Sequence, residues 1–382
     1  MVSHTFVQQV KVVTGKGCIQ QLGELLQQSG YQKAFLVFDA GIAKAGVIER
    51  ITLILKQAEI EFVEYGKVLP DPPAEIVDEG AVLCKQEKCD CVIGIGGGSS
   101  IDTAKGINIL RFNEGCILDY TQKEMKLCSG LITVPTTSGT GSELSNGAII
   151  SDVKNDTKAP ILCFNNMSEY TILDPELTVG MPYGLTLMTG LDAFSHAAES
   201  YTSVNANPMT DFICEKAMQE VVENLPTVLK EPGNLQAREK MQCTASIGGW
   251  MLYSASAHVG HSVAHVLGAH FHMVHGAVCA YTLPTVLQKL ALVVPEKVKY
   301  IGKLLGVEFK GNEDSKMIGR MTAEAYRAFV QALGLQPMEK IAVTEEVITK
   351  LASDIVNEPL AGFSPLKVDE ALAKEILNEI FQ

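Results

Sequence analysis

Six of the chain's eight histidines, His258, His261, His265, His270, His272 and His275, fall within one short stretch. Imidazoles gathered so densely call for a common cause, and a metal ion is the usual one. Asp192 and His196 stand four apart in LDAFSHAAESY, so on a helix they project from one face, one turn apart. His261 and His265 repeat that spacing in GHSVAHVLG, and His275 precedes Gly276, which suggests a turn or a close backbone approach. A carboxylate with several imidazoles suits zinc or ferrous iron. A structural zinc normally recruits cysteines, and none lies within the histidine stretch. The site is therefore expected to be catalytic, with a coordination position left for substrate.

A second group of residues suits an anion. The run VIGIGGGSSIDTAK (92–105) reads as a strand, a glycine turn and a helix start. Glycines there let the backbone approach a pyrophosphate, and the free N–H groups of the first helical turn bind its oxygens. Ser99 or Ser100 is expected to cap that helix. Ser99 stands where the usual dinucleotide fingerprint has a third glycine, and the Lys-Ser/Thr ending of a nucleotide-hydrolysing P-loop is absent. PTTSGTGSELS (135–145) follows another strand, and Thr136, Thr137 and Thr140 could form the second wall of a phosphate or nicotinamide pocket. Asp39 ends the first clear strand. It could accept an adenosine ribose and repel a 2′-phosphate, or simply cap a helix. It precedes the glycine loop rather than following it, so joint binding of NAD implies a variant topology.

Short β-branched runs at 34–39, 61–65, 91–95 and 131–135 alternate with helical spacing such as IERITLILKQA (48–58), the pattern of a parallel sheet covered on both faces. After Pro182 the segments 185–201, 209–225 and 238–255 have helical periodicity. The expected organisation is an α/β nucleotide-binding domain over residues 1–180 and an all-α metal-binding and catalytic domain over 181–382, with a cleft between them. A net charge of −13 argues against nucleic acid as a partner. The ten cysteines form no CxxC pair and read as reduced thiols of a cytoplasmic protein. Neither a signal peptide nor a membrane span is expected.

In GGGSSIDTAK, PTTSGTGSE, ILDPELTVGMP, GLDAFSHAAESY, NPMTDFICEKAM and GHSVAHVLG followed by HG, the chain resembles the iron-containing (group III) alcohol dehydrogenases. The resemblance implies a dehydroquinate synthase-like fold and places the metal ligands on Asp192, His196, His261 and His275. It puts His265 near the nicotinamide as an aid to proton transfer. Asp39 matches the position where an acid favours NAD over NADP, and Gly97, Gly98, Ser99 and Asp102 match the pyrophosphate loop. Thr136, Thr137, Thr140, Ser145, Lys158 and Leu185 match further cofactor contacts. The implied activity is hydride transfer between a small alcohol or aldehyde and NAD(H), with Fe2+ or Zn2+ and a homo-oligomeric assembly. A glycerol or polyol dehydrogenase and a dehydroquinate synthase-like lyase are the alternatives. Val274 and the Ser262–Val263 pair depart from the commoner family residues close to where substrate is expected.

Overall fold

The strand Lys33–Asp39 buries every residue from Ala34 to Phe38, and its side chains divide by parity. Phe35 and Val37 enter one hydrophobic cluster, while Ala34, Leu36 and Phe38 enter another on the opposite face. A strand buried on both faces belongs inside a helix-covered parallel sheet. The computed structural model describes residues 4–155, 157–162, 164–338 and 341–381. Its strands in chain order are β1 (Lys11–Thr14), β2 (Lys33–Asp39), β3 (Glu61–Val68), β4 (Cys91–Gly96), β5 (Leu131–Pro135), β6 (Gly147–Asp152), β7 (Thr157–Leu162) and β8 (Tyr170–Leu173). Six form one sheet in the order β1-β8-β5-β4-β2-β3, with every pairing parallel, and β6 and β7 form a separate antiparallel pair.

The order has a functional consequence. From β2 the chain steps outward to β3, then crosses back to place β4 on β2's other side. Loops leaving the carboxyl ends of β2 and β4 therefore diverge, opening the crevice in which α/β sheets bind ligands. Asp39 and Gly96 are the residues at those two ends. This topology explains why the acid precedes the glycine loop in the sequence.

The described residues form two compact units. One comprises Val7–Pro182 with Pro232–Trp250; the other comprises the residues up to Phe6, Tyr183–Glu231 and the residues from Met251 onward, and its regular structure is helical. Pro232–Trp250 supplies most of the helix Leu235–Ser254, which backs the loop after β5 in the first unit. Gln242 Nε2 donates to the Pro135 carbonyl at 3.0 Å, and Ser246 Oγ donates to Glu143. Burial pushes the Glu143 carboxyl above its ordinary range, although the Ser246 hydrogen bond opposes this. An acid whose folded pKa is raised stabilises the fold while protonated and loses that contribution as pH rises through the folded value. Thermal melts across pH 4–9 are thus expected to show a falling limb in the wild type that Glu143→Gln flattens; parallel curves would contradict this.

Two family-like motifs turn out to brace the fold. Asp174 of ILDPELT is fully buried and accepts from the N–H groups of Gly17, Ile19 and Glu176 at 3.1–3.3 Å. Asn207 of NPMTD caps the helix Pro208–Lys230, accepting from Met209 and Thr210 with proline in the first turn.

Candidate metal centre and cofactor site

Three helices of the second unit bring the histidines together. Tyr183–Thr202 carries Asp192 and His196, Val259–Phe271 carries His261 and His265, and His275 opens His275–Leu290. Gly276 makes a close approach within a helix rather than a turn. A Cβ there would lie 2.1 Å from the Met188 carbonyl oxygen, so only glycine lets this helix end reach the Asp192 helix. As a result the Nε2 atoms of His196, His261 and His275 lie 3.7, 3.7 and 3.5 Å from one oxygen, Asp192 Oδ1. Asp192 Oδ1 and His261 Nε2 are buried, and among the described residues neither has a hydrogen-bond partner. Leaving a carboxylate oxygen so is costly unless a cation is coordinated. Ligands around a tetrahedral zinc are separated by about 3.3–3.6 Å, close to the spacing seen here, so the residues present fit a divalent ion.

The local electrostatics are those of a cation site. Burial would raise the Asp192 pKa, but the facing His196, His275 and His261 hold it well below the carboxylate range. Burial drives the His275 imidazole down to about 3 against the opposing pull of Asp192, keeping the ring neutral, as a metal ligand must be. For His261 the burial cost is outweighed by Cys279, Glu199 and Asp192, and its pKa is raised well above the ordinary value.

Glu199 and Glu358 escaped the sequence reading. Glu199 Oε1 faces His261 Nδ1 at 3.0 Å, and Oε2 accepts the His258 N–H at 2.7 Å. Burial would raise its pKa, yet His261 and His258 bring it down to about 2, so it is an ionised acceptor that fixes the His261 tautomer and aims Nε2 at Asp192. A Cβ on Gly260 would lie 2.2 Å from Glu199 Oε1, so any side chain there would displace the Glu199 carboxylate from His261. Glu199 had a signal, for it lies three residues beyond His196 on the same helix face. Glu199→Gln is expected to weaken metal affinity about 10–100-fold, measured by competition with a chelator, with an unchanged fold; unaltered affinity would remove this role. Glu358 Oε1 faces His265 Nδ1 at 2.8 Å, and Oε2 accepts from Ser262 Oγ at 2.7 Å. It had no such signal, being 93 residues from His265. The remaining histidines have local tasks. His258 is buried against Thr202 Oγ1 at 2.9 Å, His270 pairs with Asp354 at 3.0 Å, and His272 ends its helix in the left-handed conformation.

One sequence inference needs correction. No cysteine lies between 258 and 275, but Cys279 follows His275 by one helical turn and places Sγ 3.7 Å from His275 Nε2. The spacing alone carries it to the same face.

In the first unit the glycine loop and the loop after β5 pack together. A Cβ on Gly98 would lie 2.9 Å from Thr140 Cγ2, and one on Gly97 3.3 Å from Thr137 Cγ2. The helix Gly98–Phe112 has Gly97 as its N-cap with no side-chain cap, contrary to the expectation for Ser99 or Ser100. A helix start left without such a cap keeps its N–H groups available for an anion. Ser100 Oγ instead donates to Asp39 Oδ2 at 3.5 Å, while Asp39 Oδ1 caps the helix Ala40–Lys44. Thr136 Oγ1 and Ser138 Oγ are buried, with no hydrogen-bond partner among the described residues. Other residues expected at the cofactor make bonds within the protein. Asp102 accepts from Ser142 Oγ at 2.5 Å and from the Ile149 N–H at 3.0 Å. Ser145 Oγ accepts from Lys105 at 3.1 Å, and Lys158 pairs with Asp71 at 2.7 Å. Leu185 lies in the helical unit and is exposed.

Comparison with known proteins decides what this pairing of sites means. The profile described as iron-containing alcohol dehydrogenase matches residues 9–175, and that of the family's C-terminal region matches 186–381. The chain belongs to the iron-containing alcohol dehydrogenase family. It is 34% identical to a choline dehydrogenase of Bacillus subtilis over 99% of this chain and 95% of the relative. It is 34% identical to an NAD-dependent methanol dehydrogenase of Bacillus methanolicus over 78% of this chain and 79% of the relative. The crystal structure of a 1,3-propanediol oxidoreductase superposes with a TM-score of 0.94 at 29% identity, covering 100% of both chains. That likeness bears out the expected dehydroquinate synthase-like fold, in which a parallel sheet precedes a helical region. Among the described residues no helix is long and apolar enough to cross a membrane.

Proposed function

We propose that the chain is a metal- and NAD-dependent alcohol dehydrogenase, moving hydride between a small alcohol or aldehyde and NAD(H). The observation that carries this reading is the convergence of three imidazole Nε2 atoms on the unpartnered, buried Asp192 Oδ1. Asp192, His196, His261 and His275 would hold one divalent ion, iron or zinc, which supplies Lewis-acid polarisation of the substrate oxygen. NAD supplies the hydride acceptor. The N–H groups at Gly97, Gly98 and Ser99 would receive its pyrophosphate, with Thr136, Thr137 and Thr140 along the facing loop. Asp102 and Ser145 hold that loop through the bonds described, and Lys158, whose own bond is to Asp71, and Leu185 would add further cofactor contacts. His265 Nε2 accepts the hydroxyl proton and passes it to solvent.

Asp39 would bind the adenosine ribose and exclude a 2′-phosphate. Asp39→Asn keeps a capping oxygen but removes the charge. It is expected to raise the NADP to NAD ratio of kcat/KM about tenfold or more, roughly 1.4 kcal/mol; an unchanged ratio would contradict the assignment. Free cysteines throughout the described residues support a reducing, cytoplasmic location. The family resemblance supports a homo-oligomer.

The decisive experiment couples elemental analysis of the purified protein to an NAD-linked screen of primary alcohols, diols, glycerol and aldehydes. One equivalent of iron or zinc with turnover on small alcohols is expected. Full activity in metal-stripped protein would overturn the reading.

A further inference from the structure

The centre has more donors than the four the family resemblance implies. Asp192, His261, His275 and Cys279 offer ligand atoms that all lie within 4.8 Å of one another, a tight group that does not include His196. His275 and Cys279 form an i,i+4 pair on one helix, as Asp192 and His196 do on another. Two helices thus each present two donors to the same point, and His261 on a third completes the cup. Cys279 is 1% exposed, and its Sγ lies 3.7 Å from His275 Nε2. Tetrahedral zinc with one sulfur and three nitrogen or oxygen ligands separates sulfur from nitrogen by about 3.6 Å. The unpartnered Asp192 Oδ1 and His261 Nε2, each buried, belong to the same group of four.

We propose that Cys279 is a fifth donor of this centre, able to ligate zinc through Sγ together with Asp192, His261 and His275. Binding replaces the S–H bond by a sulfur–metal bond and releases the proton to solvent. A thiolate is a soft ligand, so this donor favours zinc over a hard, oxygen-preferring ion. The inference rests on the reading that this centre holds a divalent metal.

X-ray absorption at the zinc edge tests it on the full chain loaded with one equivalent of zinc. A sulfur shell at about 2.3 Å beside nitrogen and oxygen at about 2.0–2.1 Å is expected. Cys279→Ser and Cys279→Ala are each expected to lose that shell while still binding one zinc through the remaining donors; Cys243→Ser is expected to keep it. A wild-type spectrum with one zinc bound and no sulfur shell would overturn the proposal while leaving the metal centre intact. A sulfur shell that persists in both Cys279 variants would also overturn it. Failure of the wild type to bind zinc at all would overturn both this and the reading on which it rests. If neither variant folds, a cobalt-loaded wild type still decides the matter, because absence of a sulfur-to-cobalt charge-transfer band refutes sulfur ligation.

Discussion

Asp192→Ala is expected to lower kcat/KM about 10^3–10^4-fold, the several kcal/mol that a Lewis-acid metal contributes. The carboxylate is the hub of the site, since the Nε2 atoms of His196, His261 and His275 all lie 3.5–3.7 Å from its Oδ1. Removing it takes away the carboxylate and leaves the three imidazoles and the Cys279 sulfur to hold a dication. The helix itself should persist. Alanine is the best helix former, and Asp192 Oδ1 makes no hydrogen bond whose loss would leave a partner unsatisfied. A ligand that binds only the folded state stabilises it by mass action, up to about 4 kcal/mol at a thousandfold excess over Kd. Added zinc should therefore raise the wild-type Tm and leave that of Asp192→Ala unmoved. A variant that retains one equivalent of metal and wild-type turnover would refute the ligand assignment.

The parts of the molecule legible in the sequence are those with local periodicity. β2 and β4 are short apolar runs bounded by turn residues, and both occur within a residue of where their pattern puts them. The histidines were legible because two donors on one helix must stand three or four apart, a constraint that composition rarely meets by accident. Glu358 reaches His265 from the far end of the helical unit, and a contact across such a separation leaves no trace in spacing. The hairpin of β6 and β7 was missed because the outer positions of β7 are exposed and its pattern does not alternate cleanly. Asp39 illustrates a different limit. The two readings open to it, helix cap and ribose acceptor, proved compatible, because Oδ1 serves the cap and Oδ2 is turned toward the glycine loop. Cys279 lies just beyond the last histidine, and the same i,i+4 rule that pairs Asp192 with His196 pairs His275 with it.

His265→Ala should lower kcat about 10^2–10^4-fold, the usual contribution of a positioned proton-transfer group, while metal content stays at one equivalent. The residue stands beside the centre without joining its tight group of donors. Its ring stacks on that of His275 with centroids 5.5 Å apart, and its side chain remains partly exposed. Glu358 settles which nitrogen is available. Burial would raise its pKa, but the hydrogen bonds from His265 and Ser262 bring it below the carboxylate range, so it is ionised and can only accept. His265 Nδ1 therefore donates to Glu358, which leaves Nε2 as the nitrogen open to proton transfer. Glu358→Gln removes the charge while keeping an oxygen that can accept, so it should cost kcat less than His265→Ala does. Both variants should keep the zinc-dependent rise in Tm that Asp192→Ala loses, which separates proton transfer from metal retention. Free imidazole should restore part of the turnover of His265→Ala by occupying the vacated space, and should do nothing for Asp192→Ala. Loss of metal from His265→Ala, or wild-type kcat in a protein lacking the imidazole, would show that His265 serves the centre in some other way.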